Sequence, residues 1–326
     1  MKKHLPAVLL LCFIFLSFFN SCSSDNSEDT TTDPPDNGGA VSQTLTAYFE
    51  SRPEYSILSE AIEQIGFSQA LDNPSSFTFF APDNDAFERY LSQLQISNVK
   101  SIPTGLLTQI IQYHMLSGAR NLDQLTAGYT NTLAKEFSSQ AAVQMYFTKV
   151  QGQTRINNAF SVSQGNIEAT NGTIHKVNEV LDLPTVATFL KADPQLNSMA
   201  LALDRESTFS FLTELADRDR DFTLFVPSAT AFGNVLEELS YSDLNAVPKT
   251  ELEGILNTHI HLNSIKRQMS LTNDMTIEMK NGSILTIRTG ANAGITDGNG
   301  RDALFSVYDI QAWNGVIHVV STVMLP

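Results

Sequence analysis

The chain has 326 residues, 42% hydrophobic and 17% charged, with 35 acidic against 20 basic side chains and a formal net charge of -15. A surface this acidic repels phosphate backbones, and no Lys/Arg cluster offers a local exception, so nucleic acid is excluded as a partner. Both cysteines, Cys12 and Cys22, lie near the N-terminus, which leaves no disulfide scaffold or thiolate metal site for the rest of the chain.

The chain opens with Lys2-Lys3-His4 and an apolar run from Leu5 to Phe19, shorter than the ~20 residues a membrane-spanning helix needs. A charged start before a short apolar core reads as an export signal over residues 1–21. Asn20-Ser21-Cys22 resembles the lipobox of bacterial lipoproteins, in which the Cys becomes the acylated first residue; Phe19 and Asn20 stand where that pattern usually has Leu and a small residue. The resemblance implies lipidation at Cys22, where two or more acyl chains anchor stably and one does not. Residues 22–41 form an acidic tether, with Asp25, Glu28, Asp29, Asp33 and Asp36 among Ser, Thr, Pro and Gly and no Lys or Arg. Such a segment buries too little apolar area to order itself and, as a flexible coil, would span about 25 Å. It looks like the signal that sends some Gram-negative lipoproteins to the outer face of the outer membrane; a plain acidic spacer is the other reading.

From residue 42 onward the sequence repeats. Phe77-Thr-Phe-Phe-Ala-Pro-Asp-Asn-Asp-Ala-Phe87 returns as Phe222-Thr-Leu-Phe-Val-Pro-Ser-Ala-Thr-Ala-Phe232, and the pairs Pro103/Pro248 and His114/His259 keep the same offset of 145. Asn171-Gly-Thr-Ile-His-Lys-Val, running to Leu183-Pro184, returns as Asn314-Gly-Val-Ile-His-Val-Val, running to Leu325-Pro326. Two units, 42–184 and 185–326, each have the length of one domain and can bury a core without disulfides or metal.

In unit one, Ile57, Leu58, Ala61, Ile62 and Ile65 follow helical spacing up to Gly66, and Met199, Ala202 and Leu203 answer in unit two. Phe77 to Phe80 reads as a short buried strand stopped at Pro82. Asp83 and Ser228 are N-cap residue types, ahead of helices through Ala86, Phe87, Tyr90 and Leu91 and through Ala231, Phe232, Val235 and Leu236. After Pro103, Leu107, Ile110, Ile111 and His114 form an apolar helical stripe matched by Leu252, Ile255, Leu256 and His259. A histidine on that stripe reads as a satisfied core residue. Val143–Val150 and Thr154–Val162 read as strands. Met275, Ile277 and Met279 alternate up to Asn281-Gly282, with Leu285 and Ile287 beyond it, a hairpin signal. Ile174, Val177 and Val180 do not alternate, which suggests a strand that bends or bulges after His175.

These landmarks together resemble the fasciclin-like domain family. The block from Phe77, Thr78 and Pro82 to Phe87, repeated as Phe222, Thr223, Pro227 and Phe232, looks like its first signature. Asn171, Gly172, Ile174 and His175, repeated as Asn314, Gly315, Ile317 and His318, look like its second. The family implies an α+β fold: two tandem fasciclin-like domains, each a twisted β-sandwich or wedge with flanking helices. It further implies an extracellular or surface setting and a role in adhesion or matrix binding without catalytic activity; the expectation for this chain is a non-catalytic adhesion lipoprotein engaging extracellular matrix, glycans or neighbouring cells, without cofactor. With the lipid anchor, the expected location is the outer membrane of a Gram-negative bacterium with the domains outside. An accessory role, docking on another envelope protein such as a nutrient-uptake complex, is the alternative. The family's hydrophobic-flanked Tyr-His motif, linked to integrin engagement in animal members, maps onto Ile110, Ile111, Tyr113 and His114. Thr258 replaces the Tyr in unit two, and with no Arg-Gly-Asp run the motif is read first as core architecture. The polar position after Ile-His-x-Val, often Asp in the family, is Asn178 and Ser321.

No hydrolase elbow, zinc-binding helix or phosphate loop is present, so no catalytic residue is assigned. His259-Ile-His261 could share a face on a strand, but on the expected helix the two diverge. Asp297-Gly-Asn-Gly-Arg-Asp302 has the flavour of a calcium loop, yet its glycine is misplaced and no Glu closes it. It is read as a turn, and no metal site is assigned. Asp217-Arg-Asp-Arg-Asp221 is read as a solvated loop.

Overall fold

Each apolar stripe or run in the repeat finds a core to face. A computed structural model of the chain describes residues 42–72, 75–206 and 210–326. The expected export signal, Cys22 and the acidic tether lie outside the described residues. In unit one, α1 (Leu45–Glu50), α2 (Ser56–Gln64) and α3 (Ser68–Leu71) lead into β1 (Phe77–Pro82), followed by α4 (Asn84–Gln93) and α5 (Thr104–Tyr113). Then come β2 (Met115–Ser117), β3 (Gly128–Lys135), β4 (Ala142–Val150), β5 (Gln153–Ile156), β6 (Phe160–Ala169) and β7 (Gly172–Val177). Gly66 takes φ +66 just past α2, where a helix end favours a residue without Cβ. The Asp83 carboxylate caps α4 by accepting the Ala86 N–H at 2.9 Å, as the Ser228 hydroxyl does for Ala231 at 3.2 Å in unit two.

The strands form one mixed sheet in the order β2-β1-β7-β6-β5-β4-β3, in which β1 and β7 run parallel. The first residues of β6 pair with β5 and the later ones with β7, so the sheet turns a corner along this strand and forms a wedge around its core. Helical Leu45, Phe49, Leu58 and Ile110 meet Phe79, Met145 and Phe147 of the strands in that core.

Unit two repeats this plan. It comprises α6 (Val186–Ala192), α7 (Asn197–Asp204), α8 (Phe211–Leu215), β8 (Phe222–Pro227), α9 (Ala229–Glu238) and α10 (Lys249–Asn257). After them come β9 (Ile260–Leu262), β10 (Thr276–Glu278), β11 (Ile284–Arg288), β12 (Gly294–Thr296), β13 (Asp302–Ala312) and β14 (Gly315–Val320). The sheet order β9-β8-β14-β13-β12-β11-β10 matches unit one strand for strand. The architecture is α+β throughout.

Three local expectations are corrected. Thr154–Val162 is two strands, because Asn157 and Asn158 take φ +49 and +54 and reverse the chain between β5 and β6. Consecutive Asn residues supply that left-handed pair at low cost. The closing motif is straight: β7 and β14 keep unbroken parallel register, and the bulges lie on their antiparallel neighbours β6 and β13. Its missing alternation comes from burial on both faces, as in a central strand covered from either side. Finally, α10 ends at Asn257, so His261 sits on a strand and not on a helix.

The two units exchange side chains. Tyr129 and Tyr146 pack into the core of unit two beside Phe189, while Trp313 packs against the core of unit one. Asp193 accepts from the hydroxyls of Tyr129 at 2.9 Å and Tyr146 at 3.3 Å, and burial beside this carboxylate pushes the Tyr146 hydroxyl up to about 12. The Gln311 N–H donates to the Gln144 side chain at 3.1 Å, and the Trp313 N–H to the Pro184 carbonyl at 2.7 Å.

Candidate functional site

The first signature ties a central strand to the loop beyond its edge partner. The Thr78 hydroxyl, fully buried on β1, donates to the Gly118 carbonyl at 2.7 Å and accepts the Arg120 N–H at 2.9 Å. Thr223 on β8 repeats this with Ser264 at 2.9 Å and Lys266 at 2.8 Å. Phe87 and Phe232 point into the cores, and Pro82 and Pro227 end their strands, where the missing N–H costs no ladder bond.

The second signature does three jobs, each twice. The Asn171 side chain accepts the Leu45 N–H at 2.9 Å and donates to the Leu71 carbonyl, fastening α1 and α3 to the start of β7. Asn314 accepts the Val186 N–H at 2.9 Å and donates to the carbonyls of Leu215 at 2.9 Å and Asp217 at 2.7 Å. Gly172 and Gly315 permit close parallel pairing, since a Cβ there would lie 2.3 and 2.4 Å from the carbonyl oxygens of Phe77 and Phe222. The Ile174 and Ile317 side chains fill the cores beside them.

His175 and His318 hold the bulges. Nδ1 of His175 accepts the N–H of Asn166, the left-handed bulge residue of β6, at 3.1 Å, and its Nε2–H donates to the Arg120 carbonyl at 2.9 Å. His318 accepts from Asp309, likewise left-handed, at 3.4 Å and donates to the Lys266 carbonyl at 2.8 Å. Burial lowers the pKa of both rings, which keeps each neutral and able to accept at Nδ1. Asn178 and Ser321 pin the same strand pair, their side chains accepting the N–H of Ser161 at 3.0 Å and of Leu304 at 2.9 Å.

The hydrophobic-flanked Tyr-His motif, read first as core architecture, is buried. Ile110, Ile111, Tyr113 and His114 are each 0% exposed, so none can touch a partner from this conformation. His114 donates from Nδ1 to the Ile110 carbonyl at 2.8 Å and accepts the Leu181 N–H at Nε2 at 2.8 Å. His259 does the same with Ile255 at 2.8 Å and Met324 at 3.0 Å. Removal from water pushes both imidazoles down to about 4. The Tyr113 hydroxyl donates to the Gln144 carbonyl at 3.2 Å and accepts from Asn157 at 2.8 Å. These residues clamp α5 and α10 to the ends of their domains.

The remaining candidates are also occupied. His261 bonds the Glu278 carbonyl and the Ser264 hydroxyl, each at 2.7 Å, and shares no partner with His259. The Asp297 carboxylate accepts the N–H groups of Asn299, Arg301 and Leu325, which makes its loop a turn closed on the C-terminus. The expected solvated loop 217–221 is instead half-buried and paired: Arg218 reaches Asp182 of unit one, and Arg220 reaches Glu214 at 2.9 Å. Among the described residues no group of three or more His, Cys, Asp and Glu side chains is placed to hold a metal ion.

The sequence profile described as the Fasciclin domain matches residues 53–184 and again 194–326. The chain belongs to the fasciclin-domain family. The pair is similar in fold to the FAS1 domain pair of the insect cell adhesion molecule Fasciclin I, with a TM-score of 0.53 at 19% identity, covering 84% of this chain and 98% of that one. It is 26% identical over 290 residues to transforming growth factor-beta-induced protein ig-h3 of Sus scrofa, covering 88% of this chain and 38% of that protein. It is 27% identical over 262 residues to human periostin, covering 79% of this chain and 29% of periostin. The chain thus spans about a third of the length of these relatives.

Within the fasciclin pair, the signature residues that recur are turned inward and bonded to backbone. They can hold a fold but cannot move a proton to a substrate. The joint around Tyr129, Tyr146 and Asp193 was not read from sequence; Trp313, the one tryptophan, standing next to Asn314, was its available signal.

Proposed function

We propose that this chain is a lipid-anchored, non-catalytic binding protein that presents a pair of fasciclin domains to extracellular matrix, glycans or neighbouring cells. In this reading Cys22 carries the acyl chains, residues 22–41 lift the domains off the outer membrane, and both domains face outward. The observation that carries it is the tandem match to the fasciclin profile, with support from the charged start, short apolar run and lipobox-like Cys22 ahead of it in the sequence. The joint at Asp193 supports it, because two domains fixed to each other offer one preorganised surface. The printed description of the insect domain pair as part of a cell adhesion molecule points the same way.

The test is protease treatment of intact cells, followed by a matrix-protein and glycan binding panel. Cleavage alongside a periplasmic control that survives, with at least one panel ligand bound above background, is the expected result. Protection until the outer membrane is breached would overturn the outward placement. Stoichiometric co-purification of an envelope protein would then identify the accessory role.

A further inference from the structure

Both domains have to cover the core at the bulge end of the wedge, and only domain one does so with its own apolar side chain. There Leu122 fills the space: a Cβ added to Gly165 would come 2.3 Å from Leu122 Cδ1, and the Leu122 N–H donates to Asn166 at 2.8 Å. In domain two the Gln268 N–H makes the same bond to Asp309 at 2.9 Å, so a polar Gln268 stands where Leu122 does, and Tyr308 stands where Gly165 does. The Tyr308 ring packs against Phe305, with centroids 4.7 Å apart. The β4–β5 connection is Gln151-Gly152, whereas β11 and β12 are joined by Thr289–Ala293. Between that longer loop and Gln268 lies a cavity of about 470 Å³. Its floor is Leu271, Ile287 and Phe305, part of a core cluster of domain two. An apolar floor without its Leu is a socket for an apolar side chain from elsewhere.

The same chain carries a matching projection on domain one. At the tip between β3 and β4, Phe137 is 83% exposed. The buried Glu136 carboxylate accepts the N–H groups of Ser138 and Ser139, each at 2.6 Å, and their hydroxyls at 3.0 and 2.5 Å. Gln140 takes φ +56, and its side-chain amide donates to the Phe137 carbonyl at 2.8 Å. The tip is held before any partner arrives, and an aromatic side chain on a fixed loop loses little entropy on binding. The corresponding tip of domain two lies down on α10 instead, where the Asn281 amide donates to the Gly254 carbonyl at 3.2 Å and the Thr258 hydroxyl at 2.8 Å. Projection and socket therefore stand on different domains, and the exposed Phe137 does not fill the socket of its own chain.

Charge narrows the occupant. At a net charge of -15, two copies of this chain repel over most of their surface. The tip Phe137-Ser-Ser-Gln140 is uncharged, and the arginines at the socket are balanced in place, Arg267 by Asp309 at 3.2 Å and Arg288 by Asp302 at 3.3 Å. Those are two surfaces that acidic copies can bring together. We propose that the Phe137 tip of one copy inserts into the domain-two cavity of a second copy. The two surfaces differ, so the contact is heterologous and links copies head to tail. One inserted ring makes a small interface, weak in solution and strengthened where many copies share a membrane. The inference rests on the neighbouring-cell part of the reading above and names the partner as a second copy of this chain.

The test is disulfide trapping between detergent-solubilised full chains, for which no cysteine beyond Cys22 interferes. One chain carries Ser138→Cys beside the ring. The other, separately tagged, carries Met269→Cys next to Gln268, at a side chain 89% exposed. The unsubstituted chain under the same oxidant gives the background from Cys22. The mixture is expected to give a crosslink between the two tags at least about tenfold above either chain alone. Adding Phe137→Ser to the first chain, or Gln268→Leu to the second to restore the missing Leu, is each expected to cut the yield about tenfold. Phe137 is exposed and Gln268→Leu keeps the backbone bond to Asp309, so unchanged melting temperatures separate both effects from misfolding. Equal crosslinking of Ser138→Cys chains with one another, no crosslink above background, or a crosslink indifferent to both substitutions overturns the contact. If the contact fails while the panel still yields a matrix protein or glycan, the adhesion reading stands alone; failure of both removes both.

Discussion

Domain one and domain two build the same wedge from sequences that have drifted apart over most of their length, and they agree where backbone must be held. Each has a Thr bridging a strand to the loop beyond it, an Asn fastening helix starts, a Gly under a neighbouring carbonyl and a His inside a bulge. They differ where the same task can be met by other side chains. Tyr113 faces Asn157 in one and Thr258 faces Asn281 in the other, Gly165 is answered by Tyr308, and a two-residue turn by a five-residue loop. A duplicated chain therefore carries its own control: agreement between copies marks what both wedges need, and divergence, at Tyr113 and Thr258 as at the joint of Tyr129, Tyr146 and Asp193, marks what each domain solves in its own way.

The largest effect should come from closing the gap at the parallel strands. Gly172→Val and Gly315→Val each drive a Cβ into a carbonyl oxygen that cannot move without breaking the β1–β7 or β8–β14 ladder. Each should cost more than about 4 kcal/mol in urea unfolding and melt its domain. Tolerance in one domain alone would show that the two pairings are not equivalent.

Acid should act on both domains together. His114 and His259 titrate near 4 when folded, against about 6.5 in an unfolded chain. As pH falls below about 6.5 the unfolded chain takes up these protons first, so the stability present above that pH is lost progressively toward pH 4. The loss should be about 3 kcal/mol per histidine. His175 and His318, also lowered, add in the same direction. Urea unfolding at pH 7.5 and at pH 4.5 checks this; equal stabilities would contradict neutral burial.

The smallest effect separates the two asparagines. At roughly 1 kcal/mol per hydrogen bond, Asn171→Ala should cost about 2 kcal/mol and Asn314→Ala about 1 kcal/mol more. Asn314 bonds two carbonyls where Asn171 bonds one. Chemical denaturation of the single variants reads the difference directly, and an inverted order would show that α3 depends on its pin more than α8 does.

Much of the scaffold was legible because its signals are local. Asp83 and Ser228 announced helix starts, Asn281-Gly282 a hairpin, and the apolar stripe of Leu107, Ile110 and Ile111 a buried helix. The strand break at Asn157-Asn158 was equally local and was overlooked. The bulges could not be placed this way, because a central strand buried on both faces loses its alternation and the irregularity belongs to its neighbour. The candidate motif at Ile110, Ile111, Tyr113 and His114 was legible as a pattern, but apolar flanks suit a core and an interface alike, and only packing distinguishes them.

The sequence by itself determined the duplication, because residue types recur at fixed spacing, and the signatures that recur carried the resemblance to the fasciclin family that implied the α+β class. Only the tertiary structure decided that the signature histidines serve bulges and helix ends and that Tyr129, Tyr146 and Asp193 join the domains. Each of those depends on atoms brought together from tens of residues apart. Which side chains meet across such distances is set by how the strands register and the sheets bend, and no local spacing records that.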